Sequence, residues 1–357
     1  MTSISVKRNI HVYIFSNQLQ NAKIGWVLME LINSIQGAAI RSIGRFLSPA
    51  GQYAKLLILM YHRVHAEPDP LRIEEVDSRT FEWQMLLLRR YFNVLALPEA
   101  IERLRIGTLP QRAVCVTFDD GYADNYEVAL PILKRTGVPA TFFVAVGFLN
   151  GDRMWNDSVI ESLRRTNDEQ IDLRKIGLGT YSVASLNDRR QTIGQVLKAL
   201  KHLSFEERTK RVDELLDIVG ETLPANLMMT PEQVQELHMA GMDVGAHTIN
   251  HPILTSIPVK QAEEEILGSR DILQQLLGQE ITIFAYPNGQ PGVDYNKRHV
   301  ECIKRAGFHA SVSTAWGYAE NTTDIFQLPR IGSWGTSPLE FCGRMLKTYL
   351  TSKPQLL

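Results

Sequence analysis

Short apolar runs recur along this chain, and most are followed by a longer segment with apolar residues at helical spacing. The runs are LLILMYH (56–62), AVCVTF (113–118), ATFFVAV (140–146), MDVGA (242–246), ITIFAY (281–286) and HASVST (309–314). Each is too short for a helix and reads as a buried strand. Helical spacing covers 80–91, 97–105, 123–136, 230–240, 258–277 and 295–306, with Gly137, Gly278 and Gly307 as stops. In TPEQ, Thr230 is an N-cap, Pro231 lies in the first turn and Gln233 is the capping-box partner. Strands alternating with helices predict an α/β fold, a mostly parallel sheet with helices outside. About seven such units close into a distorted (β/α) barrel.

Residues 150–225 break the rhythm. They are polar, charged and helical in pattern over 186–202 and 205–219, and read as an inserted helical subdomain between two barrel strands. The predicted organisation is an N-terminal helical extension (1–54), a first part of the barrel (55–149), the insertion (150–225), a second part of the barrel (226–335) and a C-terminal helix (336–357). Insertions on the active face of such barrels shape substrate access.

Composition removes several classes. Lys and Arg number 38 against 39 Asp and Glu, so no global basic field draws the chain to nucleic acid. Cys115, Cys302 and Cys342 are few and far apart with no CxxC, which points to a reducing compartment. No window reaches the roughly 18 apolar residues of a membrane span. The N-terminal segment carries Lys7 and Arg8 but no uninterrupted apolar core, so no export signal is expected. Residues 24–47 show apolar positions at helical spacing. Such a helix packs on the main domain or lies on a membrane surface, where Arg41 and Arg45 would add only modest attraction. The expected location is the cytoplasm, at the inner membrane face if that helix meets lipid.

The chemistry-bearing residues follow the strands. TFDDGYADNY (117–126) ends a strand in Asp119 and Asp120, and Gly121 permits a turn that brings both to one pocket. Adjacent carboxylates repel unless a cation relieves them. The plainer reading is a helix N-cap, a task Asp124 could perform alone. In GAHTINHP (245–252), His247 and His251 have the spacing of two imidazoles on one divalent metal, although HxxxH also arises by chance. Two His and one Asp leave positions open for water and substrate. FAYPNG (284–289) is a turn whose amides can face a pocket, or an ordinary turn. In MYHRV (60–64), His62 ends a strand and reads as a satisfied core residue or a functional one. Arg330 in LPRIG (328–332) sits in an apolar context and wants an acidic partner.

Together, TFDDG followed by H[ST]xxHP resembles the polysaccharide deacetylases, carbohydrate esterase family 4, over roughly 56–335. The resemblance implies that Asp119 is the general base and that Asp120, His247 and His251 hold a divalent metal, Zn²⁺ first, with Co²⁺, Ni²⁺ or Mn²⁺ as alternatives. It implies an N-acetylated glycan as partner. The third family motif, Arg-x-Pro-aromatic, is altered here: Ala285 replaces the Arg and Asn288 the aromatic. Arg330 is the candidate to orient Asp119 instead, and the turn at Asn288 the candidate oxyanion donor. The late Leu-x-His motif has no match, because no His follows His309. MYHRV resembles members acting on poly-N-acetylglucosamine-type polymers, which carry the acid His early, so His62 is the candidate acid.

The implied activity is hydrolysis of an N-acetyl group with release of acetate. O-deacetylation, cleavage of a non-sugar amide and silent glycan binding are the rivals. Trp155, Trp316 and Trp334 are candidates to stack on sugar rings, or to pack in the core.

Overall fold

The computed structural model describes residues 35–357 except 152, 221, 333, 334, 336 and 352. The first part of the predicted 24–47 helix, and Trp334, lie outside the described residues. Seven strands form the frame: β1 (Leu56–Tyr61), β2 (Ala113–Phe118), β3 (Thr141–Val144), β4 (Asp243–Ala246), β5 (Ile283–Ala285), β6 (Ala310–Trp316) and β7 (Leu328–Gly332). They pair in the order β1-β7-β6-β5-β4-β3-β2, and β2 pairs back onto β1. Every pairing is parallel, so the sheet is a closed barrel.

Closure explains why these runs are apolar throughout. All six residues of β2 are buried. Alternate side chains serve two cores. Leu56 and Ile58 join Ala113, Cys115, Phe143, Ala285, Val312 and Leu328 inside the barrel. Leu57 and Leu59 join Val114, Val116, Phe142 and Val144 beneath the helices. This period places the site residues. Counting by twos from Cys115 brings Thr117 and Asp119 inward, and Leu328 brings Arg330 inward.

The helices are α1 (Ile35–Leu47), α2 (Ser78–Tyr91), α3 (Leu97–Arg105), α4 (Leu130–Thr136), α5 (Trp155–Arg165), α6 (Leu186–Leu200), α7 (Phe205–Val219), α8 (Pro231–Met239), α9 (Val259–Leu277), α10 (Lys297–Arg305) and α11 (Pro338–Thr348). The α8 capping box forms as the sequence implies, with Thr230 and Gln233 each bonding the other's backbone. Helices α5–α7, with a hairpin pairing Gln170–Asp172 and Thr180–Ser182, surround their own apolar core of Val159, Leu163, Ile171, Val196 and Leu215. No described helix is long and apolar enough to cross a membrane.

Two expectations change. The helix over 123–136 begins as a π turn, Asn125–Ala129, in which the Leu130 amide reaches back to the Asn125 carbonyl. Pro131 lacks an amide for the ordinary ladder, so the turn widens upstream of it. Arg330 does not follow a strand but lies within β7.

Candidate active site and metal centre

Asp119 and Asp120 leave the top of β2. The Asp119 amide still bonds the Tyr61 carbonyl at 3.0 Å, which keeps Asp119 in strand register and facing inward. Asp120 then turns left-handed (φ 75°), followed by Gly121 (φ 92°). That reversal brings adjacent carboxylates, which a straight strand would send to opposite faces, into one pocket.

Arg330 reaches Asp119 across the barrel. Its two terminal nitrogens donate to the two Asp119 oxygens at 2.7 Å each, and its Nε donates to the Ser313 carbonyl at 3.0 Å. Arg330 is 1% exposed and Asp119 3%. Burial pushes the Asp119 carboxyl up, but Arg330, with His247 and His62, outweighs it and holds the group below the usual carboxylate range.

The two imidazoles come from the loop after β4. A side chain at Gly245 would place its Cβ 2.5 Å from the Phe143 ring, so only glycine lets β4 close on β3 just below His247. The loop is tight: Thr248 and His251 are both left-handed, at φ 64° and 52°. Glu265, buried on α9, holds it by accepting from the amides of Ile249 and Asn250 at 2.9 and 2.8 Å and from the Asn250 side chain at 2.8 Å. Glu265 belongs to no motif in the sequence; its one signal is a carboxylate on the buried face of an amphipathic helix, beside Ala262, Ile266 and Ser269. Removing its charge in Glu265→Gln should lower metal affinity by about tenfold, as loss of an outer-shell partner does. Metal titration of the purified variant checks this; unchanged affinity would show that the loop holds itself.

The donor set fits a small divalent ion. Asp120 Oδ1 is buried without a hydrogen-bond partner and lies 3.4 Å from His247 Nε2 and 3.3 Å from His251 Nε2. A tetrahedral ion with bonds near 2.0–2.1 Å separates its ligand atoms by about 3.3 Å. His247 Nδ1 bonds the Ala285 carbonyl at 2.8 Å, which places the proton there and leaves Nε2 as the ligand atom. Burial pushes His251 down to about 4, so it presents a neutral ring. Burial lowers His247 too, yet Asp120 and Asp119 together raise it on balance, so the carboxylates make the site attractive to positive charge.

Above these groups opens a cavity of about 570 Å³, lined by His62, Arg63, Asn288, Trp155 and Arg208 among others. His62 is exposed at its rim, and its carbonyl is held by the Asn125 side chain at 2.9 Å. In the 286–289 turn, the Tyr286 amide bonds Val312, Pro287 has none, and the Gly289 amide bonds Pro287. Asn288, left-handed at φ 57°, carries the one amide of this turn for which no partner is found among the described residues. Asp124 is not the helix cap that the sequence suggested. It accepts from Arg63 Nε at 2.7 Å and from the Val64 amide at 3.2 Å, fixing the segment after His62. Trp155 lines the cavity, and Trp316 stands 43% exposed at the end of β6.

Comparison with known proteins now decides the family. The sequence pattern of the polysaccharide deacetylases matches residues 106–311, more than half of the chain. The protein belongs to the polysaccharide deacetylase family. Asp119, Asp120, His247, His251 and Asn288 fall inside the matched span, whereas His62 and Arg330 fall outside it. The Bacillus subtilis protein YxkH, named after the same family, is 24% identical over 78% of this chain and 71% of its own. The poly-β-1,6-N-acetyl-D-glucosamine N-deacetylase of Staphylococcus aureus is 30% identical over 35% of this chain, a match spanning 46% of that enzyme. Two solved structures share the fold. The Streptococcus pyogenes deacetylase PplD has 23% identity and a TM-score of 0.55, covering 83% of this chain and 98% of its own. IcaB from Ammonifex degensii has 20% identity and a TM-score of 0.54, covering 85% and 99%.

The insertion is anchored beside this family site. Tyr122 donates to Asp157 of α5 at 3.1 Å, and Arg63 lies over the Tyr122 ring. Asp157 is 1% exposed, and burial pushes its carboxyl up to about 7 despite Arg63 and Arg72. The folded state then keeps a proton that the unfolded chain releases above its ordinary value near 4. Stability should fall as pH rises from about 4 to 7, by at most about 1.4 kcal/mol per pH unit from this group. Asp157→Asn should remove that slope, and urea melts at pH 5 and 7 check it. An unchanged slope would mean the carboxyl is already ionised.

Proposed function

We propose that this protein is a metal-dependent N-deacetylase of an N-acetylated glycan, with Zn²⁺ as the working ion. The observation that carries the reading is the coincidence, in one cavity, of an Asp-His-His set at ligand spacing with a second carboxylate that is not part of it. Asp120, His247 and His251 would hold the ion, which when bound supplies Lewis-acid chemistry and lowers the pKa of water toward about 7.

The chain's own residues do the rest. Asp119 takes the proton of the attacking water, and Arg330 fixes the direction of its lone pairs. The free Asn288 amide donates to the oxyanion that develops on the acetyl carbonyl. His62 gives a proton to the departing nitrogen. Water thus adds to the carbonyl carbon, the C–N bond breaks, and acetate and a free amino sugar leave. The S. aureus relative, named for N-deacetylation of poly-β-1,6-N-acetyl-D-glucosamine, supports an amide over an ester as substrate. The Arg330–Asp119 pair supports an active enzyme over a silent binder, because it occupies the role left open by Ala285.

Acetate release from N-acetylated oligosaccharides, with metal removed and restored, tests the reading. Activity should follow metal content and disappear with it in Asp120→Ala. Full activity of the metal-stripped protein would overturn it. For location we propose the cytoplasm, at the inner membrane face if α1 meets lipid, a contact that Ile43 and Phe46, exposed on α1 near Arg41 and Arg45, would support. Recovery of the intact chain outside the cell would defeat that.

A further inference from the structure

The cavity reaches past the catalytic groups to a wall supplied by the insertion. Trp155 at the start of α5, Leu197 on α6, Lys201 just past α6 and Arg208 on α7 all line it. Two of the three arginines that line this cavity are already neutralised: Arg63 meets Asp124, and Arg72 meets Glu75 and Glu74. Behind the lining, Arg330 meets Asp119. Those contacts consume the lining carboxylates other than the metal ligand Asp120. Arg208 differs. It is 5% exposed, and no carboxylate meets it among the described residues. Among the described residues its one side-chain hydrogen bond goes to the Lys201 carbonyl at 3.3 Å, and its guanidinium lies 5.1 Å over the Trp155 ring. Lys201, half-buried, also has no carboxylate partner among the described residues.

A buried cation without a counter-charge is costly, and a planar guanidinium has donors arranged for a carboxylate or phosphate. Burial pulls Arg208 below its ordinary value with nothing to offset it, whereas Arg63 and Arg72 are raised by their acidic partners. Trp155 adds an apolar face of the kind that stacks on a sugar ring.

We infer that Arg208, Lys201 and Trp155 form an anion-recognising subsite, and that the glycan deacetylated here carries a carboxylate or phosphate group close to the acetamido sugar. This rests on the deacetylase reading for the reacting end of the substrate. Hydrolysis of the amide beside such a group leaves an amine and an anion on neighbouring positions, a zwitterionic product. The wall that makes this choice belongs to the insertion and not to the barrel.

The full chain is assayed for acetate release on three N-acetylated oligosaccharides that share the acetamido sugar: one neutral, one with an adjacent uronate, one with an adjacent phosphate. One anionic substrate should exceed the neutral one in kcat/KM by roughly tenfold, mainly through KM. The anionic arm that wins identifies the group. The ratio should drop toward one in Arg208→Gln, with part of it retained in Arg208→Lys. Lys201→Gln, at a half-buried position, carries the same test if Arg208→Gln does not fold. Equal turnover of all three, or a preference unchanged by these substitutions, overturns the subsite and leaves the deacetylase reading standing. Calorimetric binding of the two anionic oligosaccharides is measured separately. Binding lost in Arg208→Gln without acetate release from any substrate supports the subsite and removes the deacetylase reading. No binding to wild type overturns the subsite.

Discussion

Asp119→Asn should lower acetate release by about a thousandfold, within the range that a positioned general base contributes. The loss should fall on kcat, because the role proposed for Asp119 is to activate water and it is not among the three candidate metal ligands. Bound metal should therefore stay near one ion per chain, which separates this variant from Asp120→Ala. The substitution also leaves Arg330, fully buried, facing an amide in place of a carboxylate. Some stability is lost with the rate, so melts are recorded on the same sample. Turnover near wild type in a folded, metal-loaded Asp119→Asn protein would remove the proposed base.

The second large effect is at Arg330. Arg330→Leu strands Asp119 in the barrel without its counter-charge, and breaking a buried pair from one side costs about 3–5 kcal/mol. The pH profile separates a positioning role from a merely structural one. In wild type, burial raises the Asp119 carboxyl, while Arg330 together with His247 and His62 lowers it by more. That stabilisation is complete above the ordinary carboxyl range and fades as pH falls through the depressed folded value. Without Arg330 the burial effect stands with less opposition, so the carboxyl holds its proton to higher pH and the acid limb of the activity profile moves up. Arg330→Lys should recover part of the stability but little of the rate, since one ammonium cannot hold both carboxylate oxygens. An unmoved acid limb in a folded Arg330→Leu protein would show that Arg330 only packs.

Much of the frame was legible because a closed parallel barrel makes unusual demands. Strands buried on both faces must be apolar throughout, as AVCVTF is, and most returns to the start of the next strand use a helix, the short step from β6 to β7 excepted. Local chemistry was equally readable where it depended on neighbours in sequence, as in the Thr230–Gln233 capping box. Reading failed where a distant residue decided the outcome. Asp124 has the composition of a cap, but Arg63 from another segment claims its carboxylate. Glu265 is one of three successive glutamates, and only the distant loop of His247 and His251 that hangs on it sets it apart.

By itself the chain's order of residues determined the α/β pattern, the positions of the paired carboxylates and imidazoles after strands, and the vacancy at Ala285 where the family motif places an arginine. Those are properties of spacing, and spacing survives without coordinates. The tertiary structure alone decided that Arg330, 211 residues away in sequence, grips Asp119, and that Arg208 is left without an acid. The reason is that pairing energies depend on burial and on which side chains share a cavity. Closure of β2 against β1, and of β1 against β7, sets the Arg330–Asp119 pair, and the packing of α5–α7 on their own core sets the place of Arg208.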